Sequence, residues 1–172
     1  INIGKRKRVP MDALKKMCEG MGFQNVRTLL ASGNVVFNAS KKKVNALASE
    51  LETQLENTFG FEVGVIVRTL TEVRSIVDSD PFGKIEVTKS TRLYVTFLAE
   101  KPAERISTPL RVADKGGASF RILTVADNAV CSVVELGESG TTDAMSVLVR
   151  MFGKKITTRN WNTIVKLLAR ES

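Results

Sequence analysis

Residues 41–68 read KKKVNALASELETQLENTFGFEVGVIVR, and the hydrophobic period changes inside that stretch. Up to Phe59, the apolar residues Val44, Leu47, Ala48, Leu51, Leu55 and Phe59 recur every three or four positions, which is one face of a helix. Gly60 is a helix stop, because glycine enters the left-handed conformation that ends a helix without a steric penalty. Phe61–Arg68 then alternates and is rich in Val and Ile, which predicts a strand. A helix that hands over directly to a strand marks a mixed α and β architecture.

Working outward toward the N-terminus, NVRTLLA (25–31) and NVVFN (34–38) are strand-like runs flanking Ser32, Gly33 and Asn34. Gly33 and Asn34 tolerate positive φ, so a tight hairpin joins them. VPMDALKKMCEGMG (9–22) predicts a helix, with Pro10 in its first turn, a stripe of Met11, Leu14, Met17, Cys18 and Met21, and Gly22 as its stop. The order is α-β-β-α-β, one strand short of a ferredoxin-like βαββαβ unit. The chain opens with Ile1, so the absent strand is expected ahead of it, and the first sheet is expected to be gapped where that central strand would lie.

Toward the C-terminus, Thr69 and Glu72 form a capping-box pattern before Val73, Ile76 and Val77, and the short helix stops at Asp80-Pro81. The polar stretch 83–91 is a connection and a domain boundary. RLYVTFLA (92–99) predicts a strand and 103–113 a weak helix broken by Pro109. SFRILTVADNAVCSVVEL (119–136) predicts a hairpin turning at Asp127-Asn128. TDAMSVLVRMFG (142–153) is helical, and a last helix begins within TTRNWNT (157–163), with Trp161, Ile164, Val165 and Leu168 inward. The fold class is α+β, with two ferredoxin-like units of antiparallel sheet. Residues 1–83 form the first, lacking its N-terminal strand, and 84–172 the second.

Histidine is absent from the 172 residues, which excludes Ser-His-Asp and Cys-His nucleophilic systems and any His-ligated metal. Two separated cysteines, Cys18 and Cys131, make no zinc site and are expected as reduced core thiols. No metal or cofactor is expected. No apolar run approaches the roughly 20 residues that span a bilayer, and no signal-peptide pattern opens the chain, so a cytoplasmic protein is expected.

The formal net charge of +8 is unevenly placed: residues 1–43 carry ten Lys/Arg against two Asp/Glu, and the remainder balances. KRKR (5–8) and KKK (41–43) account for most of the surplus. Such blocks suit phosphates or nucleic acid, and equally two solvated loop tips. Asn2, Gly4 and Lys5 would lie in a strand-to-helix loop able to aim backbone N–H groups at an anion, although the Gly-x4-Gly-Lys-Ser/Thr spacing of a P-loop is missing. Ser32, Gly33 and Asn34 could present a hydroxyl and an amide, or simply turn a hairpin. In TTRNWNT, Trp161 suits the core, and Thr157 or Thr158 suits a helix cap. Arg159 and Asn160 remain. A cation at a helix N-terminus is unfavourable, which calls for a carboxylate or a bound phosphate as partner.

These stretches resemble the bacterial domain-of-unknown-function 1697 family. The resemblance runs in order through Ile1-Asn2-x-Gly4-Lys5 with Met11 six residues on, SGNVVF (32–37), the Gly60–Arg68 strand, Pro81-Phe82, FLAE (97–100) and TTRNWNT. Members of that family usually open with a hydrophobic strand ending in Arg-Gly, and Lys5 stands where they often have a second Gly. The resemblance implies an α+β protein of two ferredoxin-like units, and supplies no activity. Three functions stay open: a binding module for a phosphorylated small molecule or nucleic acid, an enzyme on a small anionic substrate using neither His nor metal, and a protein-interaction role. The binding residues are Asn2, Gly4, Lys5, Ser32, Gly33, Asn34, Arg159 and Asn160.

Overall fold

The computed structural model describes residues 9–29, 33–39, 44–115, 118–126, 128–137 and 143–171. The chain divides into two compact units, Ile1–Thr69 and Leu70–Ser172. In the first unit, helix α1 spans Met11–Gly20 with Leu14, Met17 and Cys18 buried. Its end is built by Gly22, at φ 84°. The Gly22 N–H donates to the Glu19 carbonyl at 2.9 Å and the Phe23 N–H to the Cys18 carbonyl at 3.2 Å, which engages carbonyls of the last turn.

Strands β1 (Gln24–Leu29) and β2 (Asn34–Asn38) pair antiparallel from Leu29↔Asn34 to Gln24↔Asn38, with an irregularity between Gln24 and Arg27. Gly33 takes the positive φ of the turn, 73°, whereas Asn34 lies in the strand and its Nδ2 donates to the Leu29 carbonyl at 3.2 Å. Helix α2, Val44–Phe59, buries Leu47, Leu51 and Leu55 and stops at Gly60, at φ 75°. The core gathers these with Val9, Val26 and Val63, and the Phe23 and Phe37 rings stack 4.3 Å apart.

Residues 61–68 correct the sequence reading. The alternation is real, since Val63 is buried and Val65 and Val67 pack on the same core, but the segment joins no sheet. A strand needs ladder partners as well as the right period. Here the Val65 N–H is bound by a side chain, the Glu52 carboxylate, at 2.9 Å. The first unit's sheet is thus β1–β2 among the described residues.

The second unit opens with α3 (Leu70–Asp78), which packs against α5 (Trp161–Ala169). Phe82 meets Trp161 edge-on, with ring centroids 4.9 Å apart. These contacts draw α3 and the loop after it into the second unit, so the compact units divide ahead of the Gly83 boundary read from the sequence. Strands β3 (Thr91–Leu98), β4 (Leu110–Lys115), β5 (Ala118–Ala126), β6 (Ala129–Glu135) and β7 (Ile156–Asn160) form one antiparallel sheet in the order β4-β5-β6-β3-β7. The unit's first strand, β3, is interior, between β6 and β7.

Two elements differ from that pattern. The helix expected over 103–113 is a loop followed by β4. Pro109 removes an N–H and disfavours helix at Thr108, which cuts the expected helix short, and the segment ahead of it is loop. TTRN is a strand, not a helix start: β-branched Ile156, Thr157 and Thr158 pair with β3, from Leu98↔Ile156 to Tyr94↔Asn160. Helix α4 (Ala144–Phe152), capped by Asp143, lays Val147 and Leu148 on Leu98, Phe120, Ile122, Val130, Val134 and Ile156.

Two outcomes follow from this packing. Amide hydrogen exchange of Val63, Gly64, Ile66 and Val67 should be faster than in the β1–β2 ladder, with Val65 slowed unless Glu52 is changed to Ala. Phe82→Ala should destabilise the second unit by about 3–5 kcal/mol and red-shift the emission of Trp161, the only Trp, in a denaturant titration followed by fluorescence.

Candidate functional site

Of the residues singled out from sequence, Asn2, Gly4, Lys5 and Ser32 lie outside the described residues, as do both basic blocks. Gly33 and Asn34 build the β1–β2 turn. Arg159 and Asn160 adjoin in sequence, yet a strand sends successive side chains to opposite faces. Asn160 is exposed and its Oδ1 accepts from the Asn162 N–H at 3.4 Å, which makes it, rather than Thr157 or Thr158, the cap of α5.

Arg159 sits on β7 one residue before that cap, only 8% exposed. Its Nη1 donates to Thr157 Oγ1 at 2.7 Å and to the Thr158 carbonyl at 2.8 Å. Burial lowers its pKa, although a guanidinium remains charged at neutral pH. The partners visible for this cation include a hydroxyl and a strand carbonyl of its own element.

Another place gathers unengaged polar groups. The β3–β4 connection, residues 99–109, and the end of the β5–β6 hairpin line an open cavity of about 640 Å³. Lys101, Glu104, Arg105, Ser107, Thr108 and Asn128 contribute its polar lining, with Pro102, Ile106 and Val125 as apolar wall. That volume falls in the range of small-molecule sites. Both sides of the cavity are anchored to the sheet. The Leu98 N–H donates to the Asn128 carbonyl at 2.8 Å, and the Ala99 N–H to the Lys155 carbonyl at 3.0 Å. Asn128 takes φ 59°, a left-handed value that Asn tolerates at a hairpin turn.

Among the described residues, no ion pair or hydrogen bond engages the side chains of Lys101, Glu104, Arg105, Ser107 or Thr108. Two cations and two hydroxyls facing one cavity can donate to the oxygens of an anion. Among the described residues no group of His, Cys, Asp and Glu is placed to hold a metal, and no helix is long and apolar enough to cross a membrane.

The model of a family described as a protein of unknown function, DUF1697, matches residues 1–125. The chain belongs to that family. A solved structure described as the conserved bacterial protein SP0830 from Streptococcus pneumoniae is similar over 97% of this chain and 91% of that one, with a TM-score of 0.60 and 18% identity. At that identity the likeness shows the mixed α and β fold alone. No curated protein matches the chain. Within the DUF1697 match lie residues 101–108 and Val125 of the lining, whereas Ala126, Asn128, Arg159 and Asn160 fall beyond it.

Sequence reading missed the cavity because it placed a helix over 103–113. The available signal was KPAERISTP (101–109), with prolines near both ends and charges and hydroxyls between, a loop composition. Cys18 and Cys131 are buried and unpaired. Burial and the neighbouring Glu19 push the Cys18 thiol up to about 11, and burial raises Cys131 despite an opposing Thr124 hydrogen bond.

Alkylation at pH 8 should therefore be slow for both native thiols and fast in denaturant, with mass spectrometry as readout. Because the Cys18 pKa is raised from 9.0 to about 11, its contribution to stability is complete below pH 9 and lost as pH climbs through that interval. Arg159→Ala should lower stability by about 2–3 kcal/mol in urea unfolding, the scale of hydrogen bonds to a charged group.

Proposed function

We propose that this DUF1697 protein is a binding module for a small phosphate-bearing ligand, held in the cavity between residues 101–108 and Asn128. The observation that carries the reading is the convergence of Lys101, Arg105, Ser107 and Thr108, none of them engaged elsewhere among the described residues, on one space of about 640 Å³. A phosphate would receive charge-assisted bonds from the two cations, whose flexible stems close over it, while the hydroxyls orient its oxygens. The apolar wall would take the rest of the molecule. Arg159 and Asn160 support the ligand site only at a distance, as part of the strand and helix that complete the unit. The loop containing Asn2, Gly4 and Lys5 carries no part of this reading.

The test is calorimetric titration with inorganic phosphate, a nucleoside monophosphate and a short single-stranded oligonucleotide. Small phosphates should bind, and the double change Lys101→Ala, Arg105→Ala should weaken them by about tenfold or more with an unchanged circular dichroism spectrum. Equal affinity in the double variant would remove the cavity from consideration. Binding of the oligonucleotide alone, falling steeply with salt, would favour the nucleic-acid function instead.

A further inference from the structure

The end of the sheet that carries the open cavity holds more cations than the cavity lining does, and the extra pair bears on the charge of the ligand; the step rests on the binding reading above. The ladders bring the C-terminal end of β3, the β5–β6 turn and the N-terminal end of β7 to one end of the sheet. The β3–β4 connection leaves from there, and residues 153–155, between α4 and β7, arrive there. The two segments are tied main chain to main chain, since the Ala99 N–H donates to the Lys155 carbonyl at 3.0 Å. Ala99 precedes Lys101 by two residues, at most about 7 Å of extended chain. Lys154 and Lys155 are exposed, and among the described residues no ion pair or hydrogen bond engages their side chains. They stand outside the lining, beside the root of the loop that carries Lys101 and Arg105. The acidic residues of these two segments are Glu100 and Glu104, so the cations prevail.

We propose that this end of the sheet takes a ligand with two or more linked phosphates rather than a single one. One phosphate lies with Lys101 and Arg105 in the cavity, and the chain continues to Lys154 and Lys155 at its rim. A monophosphate leaves the second pair of cations unmatched. A polyphosphate brings negative charge within reach of both pairs, and the flexible lysine stems let each ammonium group follow it. Grouped cations also raise the local concentration of an anion in proportion to its charge. The tie between the two segments uses main-chain atoms alone, so the lysine side chains can be removed without loosening it.

The probes are inorganic phosphate, pyrophosphate and tripolyphosphate, titrated by calorimetry into the full chain in buffer without divalent cations. Pyrophosphate and tripolyphosphate should bind about tenfold or more tighter than phosphate. In the double variant Lys154→Ala, Lys155→Ala both should fall to the affinity of phosphate, itself unchanged. The control Lys15→Ala, Lys16→Ala removes the same charge from α1 and should keep the preference. Equal binding of the three probes by the wild type overturns the inference and leaves the binding reading standing. A preference that survives without Lys154 and Lys155, or that is lost equally in the α1 control, overturns it too. If none of the three binds, the binding reading fails and this inference fails with it.

Discussion

A strand hydrogen-bonded along both edges cannot slip without breaking two ladders at once, and in the second unit that strand is β3. It pairs with β6 from Thr91↔Glu135 to Phe97↔Ala129, and with β7 from Tyr94↔Asn160 to Leu98↔Ile156. Val95 and Thr96 at its middle are fully buried, and Thr96 shares a 2.8 Å hydroxyl bond with Thr158 across the β7 ladder. Because the side-chain period is two, this register alone decides which residues of β7 face inward. It sets Arg159 opposite Val95 and leaves Asn160 free to cap α5. It also fixes the far end, where the Leu98 N–H holds Asn128 and the chain departs into residues 99–109.

The sequence was most legible where one local signal and one tertiary demand coincide. Gly22 and Gly60 stop α1 and α2 because the backbone there needs positive φ, and the apolar stripes of both helices face a core. Legibility failed where the two separate. Residues 61–68 have a strand's period, but strand status depends on a neighbour that periodicity does not supply. TTRN carries two threonines that suit a cap as well as a strand. The decision lay with β3, more than fifty residues away in sequence. The weak helix expected over 103–113 yielded to proline, whose effect on the preceding residue outweighs a scatter of Ala and Glu.

The same separation explains why the candidate site was not visible. Arg159 drew attention because a cation near a helix N-terminus needs compensation, and that physics is sound. Its guanidinium donates within its own strand, to Thr157 Oγ1 and the Thr158 carbonyl, and is largely buried. Lys101, Glu104 and Arg105 look ordinary in sequence, as solvated charges usually do. What distinguishes them is that a connection brings them to one concavity with their side chains unengaged among the described residues. No local pattern encodes that. It arises from how the chain leaves β3 and returns along β4.

A likeness at 18% identity transfers a fold and no chemistry, so the chemistry of the site has to come from this chain's own atoms. Asn128 shows how such atoms divide. Its carbonyl is taken by the sheet and its φ by the hairpin, which leaves the residue no backbone freedom. Its side-chain oxygen is used by neither. A polar atom that the fold buries and does not satisfy lowers stability.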